Sequence, residues 1–235
     1  MFRKKLVLQY ESAVEVYPNI ITPAKNHVPE WYKKIPKFKD NTIFEIDRGF
    51  APTIKLCAPF LDSLTSGYVI SLPYDLYVKN NNGAPYLTWP EAVTDKIAPK
   101  WRKQTSHEKI VPSGCYSFEY TWNPCVAFVF PKGYSFLITH PLNRHDLPFI
   151  TLSGIIDGGF AVNAHGNFPF YIKENFEGII NKGTPIMQII PFRQEKWKSK
   201  KIKGLVELSI LNQKKSTSVI YGWYKKMFWI KKEYD

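Results

Sequence analysis

The sequence predicts a mainly β protein: a barrel or sandwich of short strands with a short helix near the N-terminus and another at the C-terminus. Three observations carry this reading. Aromatic residues make up 16% of the 235 residues and prolines number 18, a composition that suits pleated surfaces and interrupts long helices. From Cys115 onward short apolar runs recur, each ended by Pro, Gly or Asn. No long helical pattern intervenes between those runs to carry parallel crossovers.

In chain order, residues 2–10 and 12–17 alternate loosely and read as a strand pair. They do not read as a leader peptide, because the apolar part stops after three residues at Gln9 and no small-residue cleavage site follows. Pro18, Pro23, Pro29 and Pro36 then punctuate a segment that cannot be one long helix. Within it, Pro29 to Ile35 predicts a short helix with proline at its first position and Trp31, Tyr32 and Ile35 turned inward. Thr53 to Val78 reads as a strand, a corner at Gly67 and a hairpin turning at Asn80-Asn-Asn-Gly, with residues 85–93 as the return strand. Thr94 to Lys109 is polar enough for a surface excursion.

The recurrent runs are Tyr116 to Trp122, Val126 to Phe130, Tyr134 to Thr139, Phe149 to Ile156, Phe168 to Ile172 and Ile186 to Phe192. Gly204 to Leu211 predicts one more strand. Val219 to Lys232 predicts the C-terminal helix, with Ile220, Trp223, Tyr224, Met227, Phe228 and Ile230 near one face. With no repeat, linker or low-complexity stretch, residues 1–235 are expected to form a single domain.

Composition also narrows the function classes. No apolar stretch approaches the ~20 residues needed to cross a bilayer, so no membrane partner is expected. Cys57, Cys115 and Cys125 form an odd set without regular spacing, which predicts reduced, buried thiols in a reducing compartment and neither a disulfide framework nor structural zinc. The formal charge is +12, and much of it is local. Lys196, Lys198, Lys200, Lys201 and Lys203 form one run, and Lys214, Lys215, Lys225, Lys226, Lys231 and Lys232 make the tail basic. Such runs read first as solvated basic faces and second as a non-specific nucleic-acid site.

Three stretches carry the motifs: Gly133-Tyr-Ser-Phe-Leu-Ile-Thr-His-Pro, Leu152-Ser-Gly-Ile-Ile-Asp-Gly-Gly-Phe, and Asn181-Lys-Gly-Thr-Pro-Ile-Met-Gln-Ile-Ile-Pro-Phe. Their order, over residues 65–193, resembles the β-clip fold of the dUTPase and dCTP deaminase superfamily. There a Gly-Val-Ile-Asp turn supplies a carboxylate and an aromatic beside the nucleoside, and a Lys-Gly-x-x-Ile-x-Gln strand follows. The resemblance implies that Asp157 is the carboxylate that orients the attacking water and that Phe160 is the stacking aromatic. Lys182, Gly183 and Gln188 match its closing strand, and Arg144 lies in the stretch that stands where the family has a triphosphate loop.

The departures from that pattern bear on activity. Ser66-Gly-Tyr-Val has Val69 where the family places a metal-binding carboxylate, and a valine cannot hold Mg²⁺. Pro141-Leu-Asn-Arg-His-Asp-Leu-Pro replaces the Arg-Ser-Gly loop, the Gly-rich C-terminal arm is replaced by a basic aromatic tail, and residues 158–170 lack a deaminase glutamate. Phosphoryl chemistry depends on positioned charge and metal. A non-enzymatic protein without cofactor or metal is therefore expected.

Other constellations point the same way. His140, His145 and Asp146 lack a helical ligand spacing and read as a strand end followed by a locally bonded turn. Asp62 and Asp75 read as capping or turn residues in preference to a catalytic pair. Ser66, Ser113, Ser135 and Ser153 lack a nucleophile elbow, and no P-loop or dinucleotide fingerprint is present. Pro29-Glu-Trp-Tyr-Lys-Lys-Ile-Pro and Thr53 to Tyr68 resemble a family of uncharacterised tailed-bacteriophage proteins, which implies an origin and no mechanism.

The expectation is thus a phage-encoded structural or virion-assembly protein, found in the virion or host cytoplasm, that contacts copies of itself or other virion proteins. Trp223, Tyr224, Phe228 and Trp229 are the expected contact residues. A nucleotide-binding or nucleotide-processing protein using Asp157, Phe160, Arg144 and Gln188 is the first alternative, and a nucleic-acid binder the second.

Overall fold

The computed structural model describes residues 6–12, 20–40, 50–91, 93, 98–101, 108–124, 126–163, 168–215 and 223–235. The fold is mainly β, built of short antiparallel strands with few helices. The chain forms two compact units: Met1–His27 with Ser66–Gln194 and Tyr234–Asp235, and Val28–Thr65 with Glu195–Glu233.

The first unit holds the sheets and the core. A five-stranded antiparallel sheet runs in the order Gly154–Asp157, Tyr134–Thr139, Pro185–Arg193, Tyr68–Ser71 and Ile21–Pro23. A four-stranded sheet is ordered Phe149–Thr151, Phe168–Lys173, Cys115–Trp122 and Lys100–Trp101. Smaller sheets join Gln9–Ser12 to Val126–Val129 and Val162–Asn163, and Gly178–Ile180 to the Leu76–Asn81 and Ala84–Thr88 hairpin. Alternate residues of these strands face one way, so the apolar sets meet in a single core.

At its centre Trp122 stacks on Phe170 with ring centroids 3.6 Å apart and an interplanar angle of 7°. Phe149 meets the Trp122 indole edge-on at 5.0 Å. A buried indole N–H needs an acceptor; it donates to Thr151 Oγ1 at 2.9 Å, and that hydroxyl donates to Ile186 O at 2.6 Å. Phe128, Phe130 and Phe136 form a second aromatic knot.

Gly67 makes the expected corner. Its φ is +74°, and a Cβ there would lie 1.9 Å from Ile189 O, so only glycine lets the chain pass that strand. The Asn80 turn also forms: Asn80 Oδ1 accepts from Gly83 N–H at 2.9 Å. Its return strand is Ala84–Thr88, shorter than residues 85–93.

The second unit by itself contains the Phe38–Asp40 and Phe50–Pro52 ribbon and the α-helices Glu30–Lys34, Ala58–Thr65, Leu205–Lys214 and Trp223–Met227. Several sequence readings are corrected here and in the sheets. Thr53 to Asp62 is not a strand; it forms a 3₁₀ turn, Ile54–Leu56, then a helix, Ala58–Thr65. Thr53 Oγ1 caps the turn by accepting from Lys55 N–H, and Pro59 sits in the first helical turn, where its missing N–H is not needed. Phe149 to Ile156 is two strands in two sheets, Phe149–Thr151 and Gly154–Asp157.

Gly204 to Leu211 is likewise not a strand. Leu205–Lys214 is helical, because Leu, Glu, Gln and Lys favour a helix, which satisfies the backbone locally without a ladder. Among the described residues the C-terminal helix is Trp223–Met227, followed by irregular chain; residues 219–222 of the expected helix lie outside the described residues, as do residues 2–5 and 13–17 of the expected strand pair and Cys125. In the Glu30–Lys34 helix Pro29 is the N-cap, Tyr32 is buried and Trp31 is exposed, so only part of the expected inward face turns in.

Candidate functional site

The first candidate is the turn after Gly154–Asp157. Strand pairing sets Asp157 opposite Ser135, and Ser135 opposite Phe192. Buried Ser135 donates its hydroxyl to Asp157 Oδ1 at 2.7 Å, and Gln194 Nε2 donates to the same oxygen at 3.0 Å and to Ser135 Oγ at 3.0 Å. Gly158 N–H donates to Tyr134 O and Gly159 N–H to Phe130 O, each at 2.7 Å. A Cβ on Gly158 would meet Pro131 O at 2.2 Å, which explains the paired glycines. The turn therefore holds an exposed, oriented carboxylate three residues from Phe160, whose ring is 66% exposed.

The second cluster lies at the other end of the Tyr134–Thr139 strand. Gln188 pairs opposite Thr139, four residues or about 13 Å along the strand from Ser135. Gln188 is buried and holds two backbone groups: its Oε1 accepts from Leu142 N–H at 2.9 Å and its Nε2 donates to Ser66 O at 2.7 Å. Arg144 forms a bidentate pair with Asp146, at 2.9 and 2.8 Å, and reaches His27 O at 3.5 Å. The four residues of the nucleotide alternative thus fall into two places: Asp157 and Phe160 share one turn, while Gln188 fastens the 140–146 turn to the sheet and Arg144 lies within that turn, bonded to Asp146 and to His27 O.

His140 belongs to that fastening. Its Nδ1 accepts from Thr151 N–H at 3.3 Å, which leaves Nε2 to donate to Arg144 O at 3.1 Å. Burial first, then the cations Lys173 and Arg144, hold this imidazole below its ordinary range, with the Arg144 carbonyl opposing them. His27, bonded to Thr22 Oγ1 at 2.7 Å, is lowered by burial and by Arg144. Among the described residues no group of His, Cys, Asp and Glu side chains could hold a metal ion. Val69 is buried in its strand between Thr22 and Gln188.

Ser135 and Gln194 are the site residues that sequence reading missed. They stand 22 and 37 residues from Asp157, and only strand register brings them there. Asp62 and Asp75 each have a structural duty. Asp62 Oδ2 accepts from Trp229 Nε1 at 2.9 Å and pairs with Lys232 at 2.8 Å; Asp75 Oδ1 accepts from Lys182 N–H at 2.7 Å.

The remaining candidate surface is the chain after Gln194. Trp229 is engaged by Asp62 and flanked by Lys225 and Lys232 over its ring, and Lys215 lies over the half-buried ring of Trp223. Tyr224 and Phe228 are exposed, as are Met227 and Ile230. In the Leu205–Lys214 helix Leu205, Val206, Leu208, Ile210 and Leu211 are all exposed and no residue is buried. At the very end, Tyr234 packs edge-on against Tyr68 at 5.7 Å and Asp235 pairs with Lys25 at 3.1 Å, within the first unit.

No family model matches the chain, and no curated protein matches it. Among solved structures, a mutant dUTPase from phage phi11 of S. aureus is similar to this chain at 14% identity and a TM-score of 0.33. The similarity covers 84% of this chain and 97% of that one. A likeness of that degree assigns no activity.

Proposed function

We propose that this chain is a non-enzymatic, phage-encoded assembly protein that associates with further copies of itself. The observation that supports the reading is the Leu205–Lys214 helix, which leaves five large apolar side chains in water and buries none. Those residues make up half of the ten-residue helix and are interleaved with Glu207, Ser209, Asn212, Gln213 and Lys214. Each large apolar side chain left in water forgoes about 1.5 to 3 kcal/mol of burial, and a contiguous exposed patch marks a contact surface. Tyr224 and Phe228 would extend that surface, while Trp223 and Trp229 support it from within their own unit.

The test is the mass of the full chain in solution, by light scattering or sedimentation. The wild-type protein is expected above its single-chain 27.3 kDa, and a Leu208→Lys/Ile210→Lys double variant at the single-chain mass with an unchanged melting temperature. A wild-type protein that stays at the single-chain mass at every concentration overturns the reading.

A second reading, nucleotide binding, is favoured by one observation: Asp157 and Phe160 share a rigid glycine turn with the carboxylate already oriented by Ser135 and Gln194. It predicts that dUTP or dCTP raises the melting temperature of the wild type and not of Phe160→Ala. Release of pyrophosphate from dUTP with Mg²⁺ that disappears in Asp157→Ala would replace the non-enzymatic reading altogether.

A further inference from the structure

We propose that the arm from Glu195 to Gly204 is a docking site for single-stranded nucleic acid, with Trp197 as the base-stacking residue and the five lysines around it as the phosphate contacts. Every residue of this arm is exposed, and it forms neither helix nor ladder. Its Trp197 is 88% exposed and meets no other ring or cation among the described residues. Lys196, Lys198, Lys200, Lys201 and Lys203 form no salt bridge or hydrogen bond among the described residues.

The lysines further on behave differently. Lys225 and Lys232 lie over Trp229, Lys215 over Trp223, Lys232 pairs with Asp62 and Lys231 with Glu233. Those four lysines find partners within the chain, whereas the five of the arm find none among the described residues. From Glu195 to Glu233 the sequence carries eleven lysines against three glutamates, so the complement to the arm is an anionic polymer and not a second copy of the same arm.

The nature of the polymer follows from the indole. Lysine point charges neutralise phosphates and release counterions without reading sequence. A bare Trp beside them stacks on any unpaired base, which is how single-strand binders combine a basic track with aromatic platforms. Paired bases in a duplex are already stacked and present no face to the ring. An irregular arm can follow a strand whose backbone bends.

The experiment uses the full chain and a fluorescein-labelled oligo(dT), read by anisotropy across a salt series. Trp197→Ala is expected to weaken binding by roughly 5- to 100-fold, and Trp197→Phe to keep most of it. Replacing the five lysines by Gln should flatten the salt slope of log K by about 3.5, at roughly 0.7 per lysine for a single strand. These substitutions leave the apolar helix intact, so solution mass and melting temperature should not move, which separates this proposal from the assembly reading. Equal affinity for oligo(dT) and its duplex, equal competition by heparin, preference for phosphatidylserine vesicles, or indifference to Trp197→Ala would each overturn it.

Discussion

Two aromatic-rich stretches of this chain meet opposite fates. Between Tyr116 and Phe136 the aromatics go inside: Trp122, Phe128, Phe130 and Phe136 are buried, and Phe118, Tyr120 and Tyr134 are half-buried on the same faces of their strands. Between Trp197 and Ile230 most of the described large apolar residues stay in water. Composition does not separate the two. The first stretch lies in antiparallel ladders, where each strand supplies cross-strand neighbours for the next and alternation sends one set of side chains to a shared core. The second follows the Pro185–Arg193 strand, and the backbone of its helices is bonded within each helix. A self-satisfied backbone folds without bringing a neighbour for its side chains.

The largest effect is expected at Trp122 in the buried stretch. Trp122→Ala removes the ring stacked on Phe170 and the donor to Thr151, and is expected to destabilise the protein by about 3–5 kcal/mol; denaturant unfolding measures it. A loss below about 1 kcal/mol would mean that this core is not the one holding the ladders together. Next is Gly67→Ala, whose Cβ would sit 1.9 Å from Ile189 O at a φ of +74°. Strain of roughly 1–3 kcal/mol is expected, read as a lower denaturant midpoint with an unchanged slope.

The histidines give a smaller effect with a defined sign. Burial holds His140 and His27 below their ordinary 6.5 in the folded protein. As pH falls through 6.5 the unfolded chain takes up protons that the folded chain still refuses, so stability is full above that value and falls until the folded groups titrate. Melting temperature should therefore drop between about pH 7 and pH 5, and His140→Asn should flatten part of that slope. A flat profile in the wild type would show that the 140–146 turn tolerates protonation.

The smallest effect lies in the other stretch. In the single-chain state, reached by dilution, Leu208→Lys should change stability by no more than about 0.5 kcal/mol, because there its side chain touches water. A larger loss would show that the Leu205–Lys214 helix is covered within the single chain, and would erase the contrast drawn here.

Much of the β organisation was legible in residue order. The Tyr134–Thr139 run is a strand over its whole expected length, and the Gly67 corner and Asn80 turn stand where the residues place them. These are local decisions: alternation, and backbone conformations that only glycine or asparagine adopts readily. Where local signals were ambiguous, the ladder decided. Val206, Leu208 and Ile210 alternate like a strand, yet they pair with no strand among the described residues and the chain is helical; Phe149 to Ile156 looks continuous, yet its two ends joined different sheets.

The candidate site divides along the same line. Asp157 and Phe160 could be singled out in the sequence because one short turn carries both. Ser135 and Gln194, which orient that carboxylate, could not, since strand register alone sets them beside it. Sequence likewise placed Gln188 and Arg144 in one group with Asp157, and tertiary structure separated them by about 13 Å of strand. What the sequence determined by itself is what is settled within a few residues: strand periodicity, turn chemistry and the basic charge of the arm and tail. Which polar groups meet, and which aromatics find cover, depended on pairing between distant segments, because a hydrogen bond or a buried ring needs a neighbour that its own stretch of chain does not contain.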